Sequence, residues 1–502
     1  MGLENFIQSL AYVKPEITAA ITLVVVLIFD LIFKDKKGIV PYIGLAGLVI
    51  TFFTLISQNG NFASAFVTSN GAKYGMFAVD PFGTFIKIII ILSSFLVILM
   101  SLSSNEIKSV HKRSGEYYTL IFGMIVGMMT LTSVTDLILV YLSLELMSLS
   151  SYVLAGFLKL QKRPAESSLK YMIFGAASSG VMLFGISIFY GLFGTTNLYQ
   201  IASFGNTEGI RFITLTIASI FVFAGIGYKI SSVPFHFWTP DVYEGAPIPI
   251  TAYLSVASKA AGFALLVRIV RTGFTSGADA HGFWHLLQGF DWRTFIILLA
   301  VLTMTVGNMI ALWQDNLKRM LAYSSIAHAG YMIMALAAFS NESLLAIILY
   351  FVFYMLMNFG AFYVIMVVAN KTGSEDINTY NGLGYTSPFI STMMGIFLFS
   401  LAGIPPFAGF IGKLYIFIAV VDAKLITLAV IGLLNSTLSL YYYARVMKHM
   451  LLTKPNEDTP TVNPGIYDKV MLLILAVPTL LFGIFFQQVV EFAQQSAKLL
   501  GF

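Results

Sequence analysis

Apolar residues run in fourteen long stretches separated by short polar ones, near 17–33, 39–57, 82–102, 118–133, 136–158, 168–194, 211–235, 248–271, 294–313, 319–339, 343–369, 388–420, 425–447 and 467–490. An α-helix rising 1.5 Å per residue needs roughly 20 apolar residues to cross a hydrocarbon core about 30 Å thick. The pattern therefore predicts an all-α integral membrane protein with about fourteen transmembrane helices. Within lipid the backbone must satisfy its own hydrogen bonds, and the alternating pattern of a barrel strand is not visible. The polar stretch TKPNEDTPTVNPG at 453–465 reads as a linker ahead of a last helix, and no second soluble domain is expected.

A weak repeat organises these runs. Val233-Pro234-Phe235 in the seventh recurs as Pro405-Pro406-Phe407 in the twelfth, Glu166-Ser167 recurs as Glu342-Ser343, and Asp136-Leu137 as Asn316-Leu317. The three offsets are nearly equal, and each amounts to five runs. Five is odd, so the second copy must cross the bilayer upside down. Proline removes a backbone donor and clashes with the preceding turn, so helices 7 and 12 are expected to be discontinuous. Paired breaks in inverted repeats point to a transport site near the midplane.

Composition and charge narrow the class. The chain is 58% hydrophobic and 11% charged, far from a soluble domain. Seventeen of the 29 Lys and Arg fall in odd-numbered loops, among them Lys34, Lys36, Lys37, Lys108, Lys159 and Lys371. Cytoplasmic loops carry the cationic excess, so both termini are expected on the non-cytoplasmic side. Cysteine is absent, which removes thiolate-held iron–sulfur clusters and disulfides from this chain. The start MGLENFIQ has no basic n-region, and Phe6 stands where a myristoylation signal wants Ser or Thr, so a cleaved signal or lipid anchor is not expected. The net charge of +5 is spread over short loops with no basic block among aromatics, which argues against nucleic acid.

Four ionisable residues stand deep inside apolar runs: Glu145 in VYLSLELMSL, Lys229 ahead of Pro234, Lys259 in YLSVASKAAGFALL, and Lys413 after Pro406. Each costs about 2.5 to 3.5 kcal/mol at a helix centre unless paired or hydrated. Desolvation and a neighbouring carboxylate act in opposite directions on a lysine's proton occupancy, so the four read as a proton relay. The bland alternatives are salt bridges between helices or snorkelling lysines. His328 in AYSSIAHAGYM is either a relay member or a hydrogen-bonded packing residue. His236 reads as packing, Lys87 as snorkelling, and Asp30 and Asp136, near run ends, as solvated or capping.

LSLELMSLSSYVL around Glu145, PFHFWTPDVYEGAPIPITAYLS five residues after Lys229, SVASKAAGFALL around Lys259, LKRMLAYSSIAHAGYM at 317–332 and LAGIPPFAGFIGK ending at Lys413 give the chain a resemblance to a known family. It resembles the antiporter-like membrane subunits of respiratory complex I, themselves related to subunits of multi-component sodium/proton antiporters. The lysine at the span-eight position is similar to the N-type branch, counterpart of mitochondrial subunit 2. The resemblance implies an N-terminal three-helix segment at 1–102, a first inverted repeat at 116–272 (helices 4–8), a second at 293–451 (helices 9–13) and a C-terminal helix at 466–502. Carried over by motif, it makes Glu145 and Lys229 an interacting acid and base, Lys259 a connecting lysine, Lys413 a terminal one and His328 a bridge. It also implies a bacterial inner-membrane location beside other antiporter-like and small membrane subunits. NAD(H), flavin, iron–sulfur clusters and quinone would sit in partner subunits, with no cofactor or metal in this chain. A cation/proton antiporter subunit is the alternative function, and a structural scaffold the third. Lys87 and the loop 272–293, with His281, Trp284 and His285, are left unassigned.

Overall fold

Lipid offers a peptide group no partner, so the chain closes its hydrogen bonds in helices, and the computed structural model contains little else. It describes residues 3–33, 37–67, 74–158, 162–204, 212–287, 289–455 and 459–501. Gly2, the loop cations Lys34, Lys36 and Lys159, and Asn456, Glu457 and Asp458 of the linker lie outside the described residues.

An N-terminal group comprises α1 (Leu3–Tyr12), α2 (Lys14–Ile32), α3 (Val40–Ile56), the antiparallel strands β1 (Ala63–Ala65) and β2 (Phe77–Val79), α4 (Pro81–Ser103) and α5 (Asn105–Lys108). There follow α6 (Ser114–Leu131), α7 (Leu137–Ala155), α8 (Lys162–Phe193), α9 (Leu198–Ser203), α10 (Phe212–Ile230), α11 (Trp238–Gly245), α12 (Ile248–Tyr253) and α13 (Lys259–Arg268). A second hairpin, β3 (Thr275–Ala278) and β4 (Trp284–Leu286), leads to α14 (Trp292–Ala311), α15 (Leu317–Leu336), α16 (Asn341–Thr372) and α17 (Leu383–Thr386). The chain ends through α18 (Pro388–Ala402), α19 (Ala408–Asp422), α20 (Ile426–Leu451), α21 (Ile466–Ile484) and α22 (Gln487–Ser496). Among the described residues ten helices are long and apolar enough to cross a membrane, with α3 and α18 shorter but apolar.

Two rods form the centre. In the continuous helix from Ile248 to Gly273 the apolar window is wholly buried, and in α16 it is 94% buried. Between α12 and α13 the helix widens into a π turn over Leu254–Ser258, directly before Lys259. Such single turns leave the regular ladder and recur at functional positions.

The two long helices α8 and α16 each have 32 residues, and their first residues, Lys162 and Asn341, keep nearly the offset that relates Asp136 to Asn316. Asp136 caps α7 and forms an isolated bridge with Asn197, while Asn316 caps α15 and forms the same bridge with Asp376. The first bridge lies on the face that carries both hairpins, and the second on the opposite face, where Lys318 donates to the Ala246 carbonyl at 2.8 Å. Lys318, a loop cation by sequence, is buried in the first turn of α15.

The helix interruptions fall where the prolines put them. The first occupies 231–237, between α10 and α11, and the second 403–407, between α18 and α19. Both contain a cis X–Pro peptide, Val233–Pro234 and Pro405–Pro406. The freed groups find partners, as buried backbone polar groups must. Trp238 Nε1 donates to the Tyr228 carbonyl at 2.9 Å, Ser232 N to the Gly227 carbonyl at 2.9 Å, and Thr303 Oγ1 accepts from Val233 N at 3.0 Å. At the second break Gly403, with φ +84°, ends α18 in the left-handed region that glycine adopts without cost.

Helix α21 seals that second break. A Cβ on Gly483 would stand 1.7 Å from the Pro406 carbonyl oxygen, a backbone atom with no rotamer to yield. Gly483→Ala is expected to push α21 outward at a cost of about 1–3 kcal/mol, the range for overpacking. A fall in the melting temperature of the detergent-solubilised protein is the measurement, and an unchanged value would remove α21 from this role.

One sequence expectation is corrected and another narrowed. Lys87 does not snorkel: it is 2% exposed, and its ammonium lies 2.5 Å from the carboxylate of buried Glu16 on α2. Tertiary pairing replaces the reach to water. Of the two readings of Asp30, solvated or capping, burial removes the first: its carboxylate packs where a side chain on Gly115 would stand, in the first turn of α6. Asp136 does cap, accepting from Ile138 N and Leu139 N.

Candidate functional site

Three of the four ionisable residues picked out by sequence are buried: Lys229 is 1% exposed, Lys259 0% and Lys413 5%. Glu145 is half-buried, because α7 turns an unpartnered apolar stripe outward through Leu142, Leu146 and Leu149, and Glu145 stands at its edge.

Lys229 ends α10 just before the first break, but its ammonium points away from the freed carbonyls. It contacts Ser148 Oγ and Tyr171 OH, each at 3.3 Å, and lies 5.6 Å over the Tyr171 ring. Ser148 is one turn beyond Glu145 on α7, so acid and base share a neighbourhood. Among the described residues no ion pair joins them, and Glu145 Oε1 has no hydrogen-bond partner. The stem of Lys229 packs where a Cβ on Gly262 would lie, 3.7 Å from its Cγ. Gly262 is one turn beyond Lys259 on α13.

From Lys259 onward, α15 organises the site. Lys259 Nζ donates to the Ser325 carbonyl at 2.9 Å. Three residues on, His328 is held by two tyrosine hydroxyls, Nδ1 with Tyr350 at 2.6 Å and Nε2 with Tyr443 at 3.0 Å. Another three on, the Tyr331 ring lies 5.1 Å beneath the Lys413 ammonium. Residues at i, i+3 and i+6 share a side of a helix over about 9 Å, so one rod bears all three contacts. Lys413 also answers the second break, donating to the freed Ala402 carbonyl at 2.8 Å and to Ser436 Oγ at 2.9 Å. Gly403 makes room for it: a Cβ there would come within 2.7 Å of Lys413 Cδ.

Among the described residues, Ser258 Oγ and Asn358 Oδ1 are buried without protein partners near Lys259 and His328, and the hydroxyls of Tyr243 and Tyr354 gather around that of Ser325. Buried polar atoms of this kind are the usual lodging of ordered water. The row sets hydroxyl, imidazole and amine groups, each able to give or take a proton, along one helix.

The hydroxyl residues Ser148, Tyr171, Ser325, Tyr350, Tyr443 and Ser436 were not among the sequence candidates. A signal for some of them was present: Ser148 and His328 are separated by the same offset as Asp136 and Asn316, and Tyr171 and Tyr350 by nearly that offset. His236 is buried and lies against Phe237, with ring centres 4.5 Å apart. The unassigned loop is hydrogen-bonded to the α15–α16 connection, through Trp284 N to the Phe339 carbonyl and Trp284 Nε1 to Asn341 Oδ1. On the face opposite the hairpins, a cleft of about 240 Å³ is lined by Glu166, Lys170, Asp241, Glu244 and Arg319. Asp241 there accepts from Lys170 at 2.7 Å and from Arg319 at 2.6 Å.

Comparison with known proteins gives a consistent picture. Residues 134–439 match the family described as NADH:quinone oxidoreductase/Mrp antiporter, TM. The chain is 43% identical over 492 residues to NADH-quinone oxidoreductase subunit N 2 of Chloroherpeton thalassium, covering 97% of this chain and 94% of that one. Its fold is similar to a chain of respiratory complex I from Thermus thermophilus, with a TM-score of 0.77 and 28% identity over 95% of this chain and 98% of that chain. A chain of the Mrp complex from a Dietzia species shares the fold alone, with a TM-score of 0.78 at 21% identity over 99% of this chain and 97% of that chain.

Proposed function

The chain belongs to the NADH:quinone oxidoreductase/Mrp antiporter membrane family, in its subunit N branch, and from that premise we propose how it moves protons. It is a multi-pass proton-translocating subunit in the membrane arm of a complex I-type NADH:quinone oxidoreductase, standing among other membrane subunits. It serves that oxidoreductase without carrying the redox step. NAD(H), flavin, iron–sulfur clusters and quinone belong to partner subunits.

The observation that carries the relay is the three-residue ladder on α15, Ser325, His328 and Tyr331, on which Lys259, the imidazole and Lys413 each rest. Glu145 and Lys229 form the responsive end. A shift of charge in a neighbouring subunit changes the field at Glu145, whose edge position leaves it open to such a partner. Proton occupancy at Lys229 then changes, followed by Lys259, His328 and Lys413 in turn. Any such coupling needs a partner charge that interacts differently with two states of the chain.

Two inverted repeats underlie this arrangement, helices 4–8 at 116–272 and helices 9–13 at 293–451, in a fourteen-span chain with the three-helix segment at 1–102 and the last helix at 466–502. Support comes from the equal lengths of α8 and α16 and from the equivalent bridges on opposite faces. The triplets Glu145, Ser148, Ser151 and Ser325, His328, Tyr331 add to it, since each member is offset from its counterpart as Asp136 is from Asn316. By this reading His328 is the second-half counterpart of Ser148. Both termini lie on the non-cytoplasmic side of a bacterial inner membrane, as the loop cations direct. The Mrp-type fold keeps a cation/proton antiporter subunit as the second reading.

Lys259 supplies the test. Lys259→Ala is expected to lower the protons moved per electron in the intact complex, and Lys259→Arg to be milder because a charge remains. Proton uptake by reconstituted vesicles alongside quinone reduction measures both. Wild-type ratios in both variants would defeat the relay. Cation-driven proton exchange by the purified assembly without any electron donor would favour the antiporter.

A further inference from the structure

Helix α4 carries polar residues seven apart, Asp80 at its cap, then Lys87, Ser94 and Ser101, and none belongs to the row on α15. Seven residues return to nearly the same side of a helix, and the stretch from Asp80 to Ser101 runs about 31 Å, the depth of the hydrocarbon core. All four are 2% exposed or less. Each meets a different element: Asp80 the guanidinium of Arg268 at 2.8 Å, Lys87 the carboxylate of Glu16 at 2.5 Å, Ser94 the hydroxyl of Tyr253 at 2.6 Å, and Ser101 that of Tyr117 at 2.8 Å.

The two ion pairs differ. The Asp80 carboxylate is fully engaged, by both guanidinium nitrogens and by the Gly83 and Leu500 amides. Glu16, 5% exposed, meets Lys87 as an ion pair through Oε1, while neither of its carboxylate oxygens has a hydrogen-bond partner among the described residues. A buried pair so incompletely satisfied gives little stability, and apolar residues of equal volume commonly do as well or better. Lys87 lies 5.2 Å over the Phe77 ring, much as Lys229 lies over Tyr171. Midway along the line the hydroxyls of Ser93 and Ser258 are buried without partners among the described residues; Tyr253 directly precedes the π turn, and Ser258 closes it next to Lys259.

We propose that the Glu16–Lys87 pair is an additional proton-holding station, linked to Lys259 along α4 through Tyr253, Ser94 and water lodged at Ser93 and Ser258. The inference rests on the relay reading of Lys259. A proton arriving along the hydroxyl and water chain leaves a hydronium O–H bond and forms one at Glu16 Oε2. The carboxylate becomes a carboxylic acid while Lys87 keeps its ammonium, so the pair goes from neutral to a net charge of +1. Glu16 lies in the first turn of α2, on the hairpin face, and the proton departs toward that face by the reverse step.

The test uses the intact complex in vesicles, with protons per electron and redox-induced infrared difference spectra as readouts. The double variant Glu16→Gln with Lys87→Met removes both charges, so a mere staple would tolerate it. A reduced proton-to-electron ratio together with loss of a carboxylic C=O band supports the station; a wild-type ratio and spectrum overturn it. Should the double variant fail to assemble, Glu16→Asp decides, because it keeps the pair: a shifted C=O band supports the proposal and an unaltered spectrum refutes it. Lys229→Ala serves as the control. If it pumps normally the relay reading itself has failed, whereas impairment there beside a wild-type double variant removes only the station.

Discussion

Lys229→Ala is expected to lower redox-driven proton pumping at least about tenfold, the factor that a barrier increase of about 1.4 kcal/mol produces. The substitution deletes the ammonium that touches Ser148 and Tyr171 and stands nearest the acid end of the row. Neither freed carbonyl at the first break depends on it, since Trp238 Nε1 and Ser232 N hold those. Assembly should therefore survive, which separates a lost proton carrier from a lost fold. Glu145→Ala should fall in the same direction. The checks are acidification by inverted vesicles and the amount of intact complex on a native gel. Normal pumping in both variants would reduce these residues to helix bridges.

Arg268→Ala should act the other way, through the fold. Its guanidinium is wholly buried and makes a two-bond clamp on Asp80 at 2.8 and 2.9 Å, with a third bond from Nε to the Thr132 carbonyl at 2.8 Å. Asp80 also holds Leu500 N, so the clamp ties α13, α4, the end of α6 and the C-terminal segment on the hairpin face. Removing one partner of such a pair leaves an uncompensated buried charge, at a cost of about 3–5 kcal/mol. Recovery of assembled protein should drop sharply. Replacing both partners together, Asp80→Leu with Arg268→Met, should restore part of it, because no lone charge remains. Equal losses in the single and double variants would mean that the bonds to Thr132 and Leu500 matter more than the charge pair.

The lysines were legible in the sequence because charge in an apolar run is rare and costly, so each instance draws attention. Their hydroxyl partners were not, since Ser and Tyr occur throughout membrane helices at little cost and nothing local separates Tyr171 from Tyr190. Lys87 was misread for a related reason. A position little more than a turn inside a run is within reach of water for a long side chain, and only packing reveals that Glu16, on a different and much earlier helix, intercepts it. The breaks were legible because proline acts on its own backbone. That Lys413 turns to the freed Ala402 carbonyl while Lys229 turns away from its break was not, because direction depends on neighbours. The strands β1 and β2, three residues each, are too short for any alternating signal.

Ser325, His328 and Tyr331 occupy one edge of a single rigid cylinder, so their contacts behave like lobes on a camshaft. A turn of α15 by one residue's worth of rotation, about 100°, would withdraw all three from their lysine, tyrosine and amine followers at once, and a slide along its axis would put all three out of phase together. Under the proposed relay, handover along α15 would then be timed as a unit, and a reporter attached anywhere along that cylinder would register the same stroke.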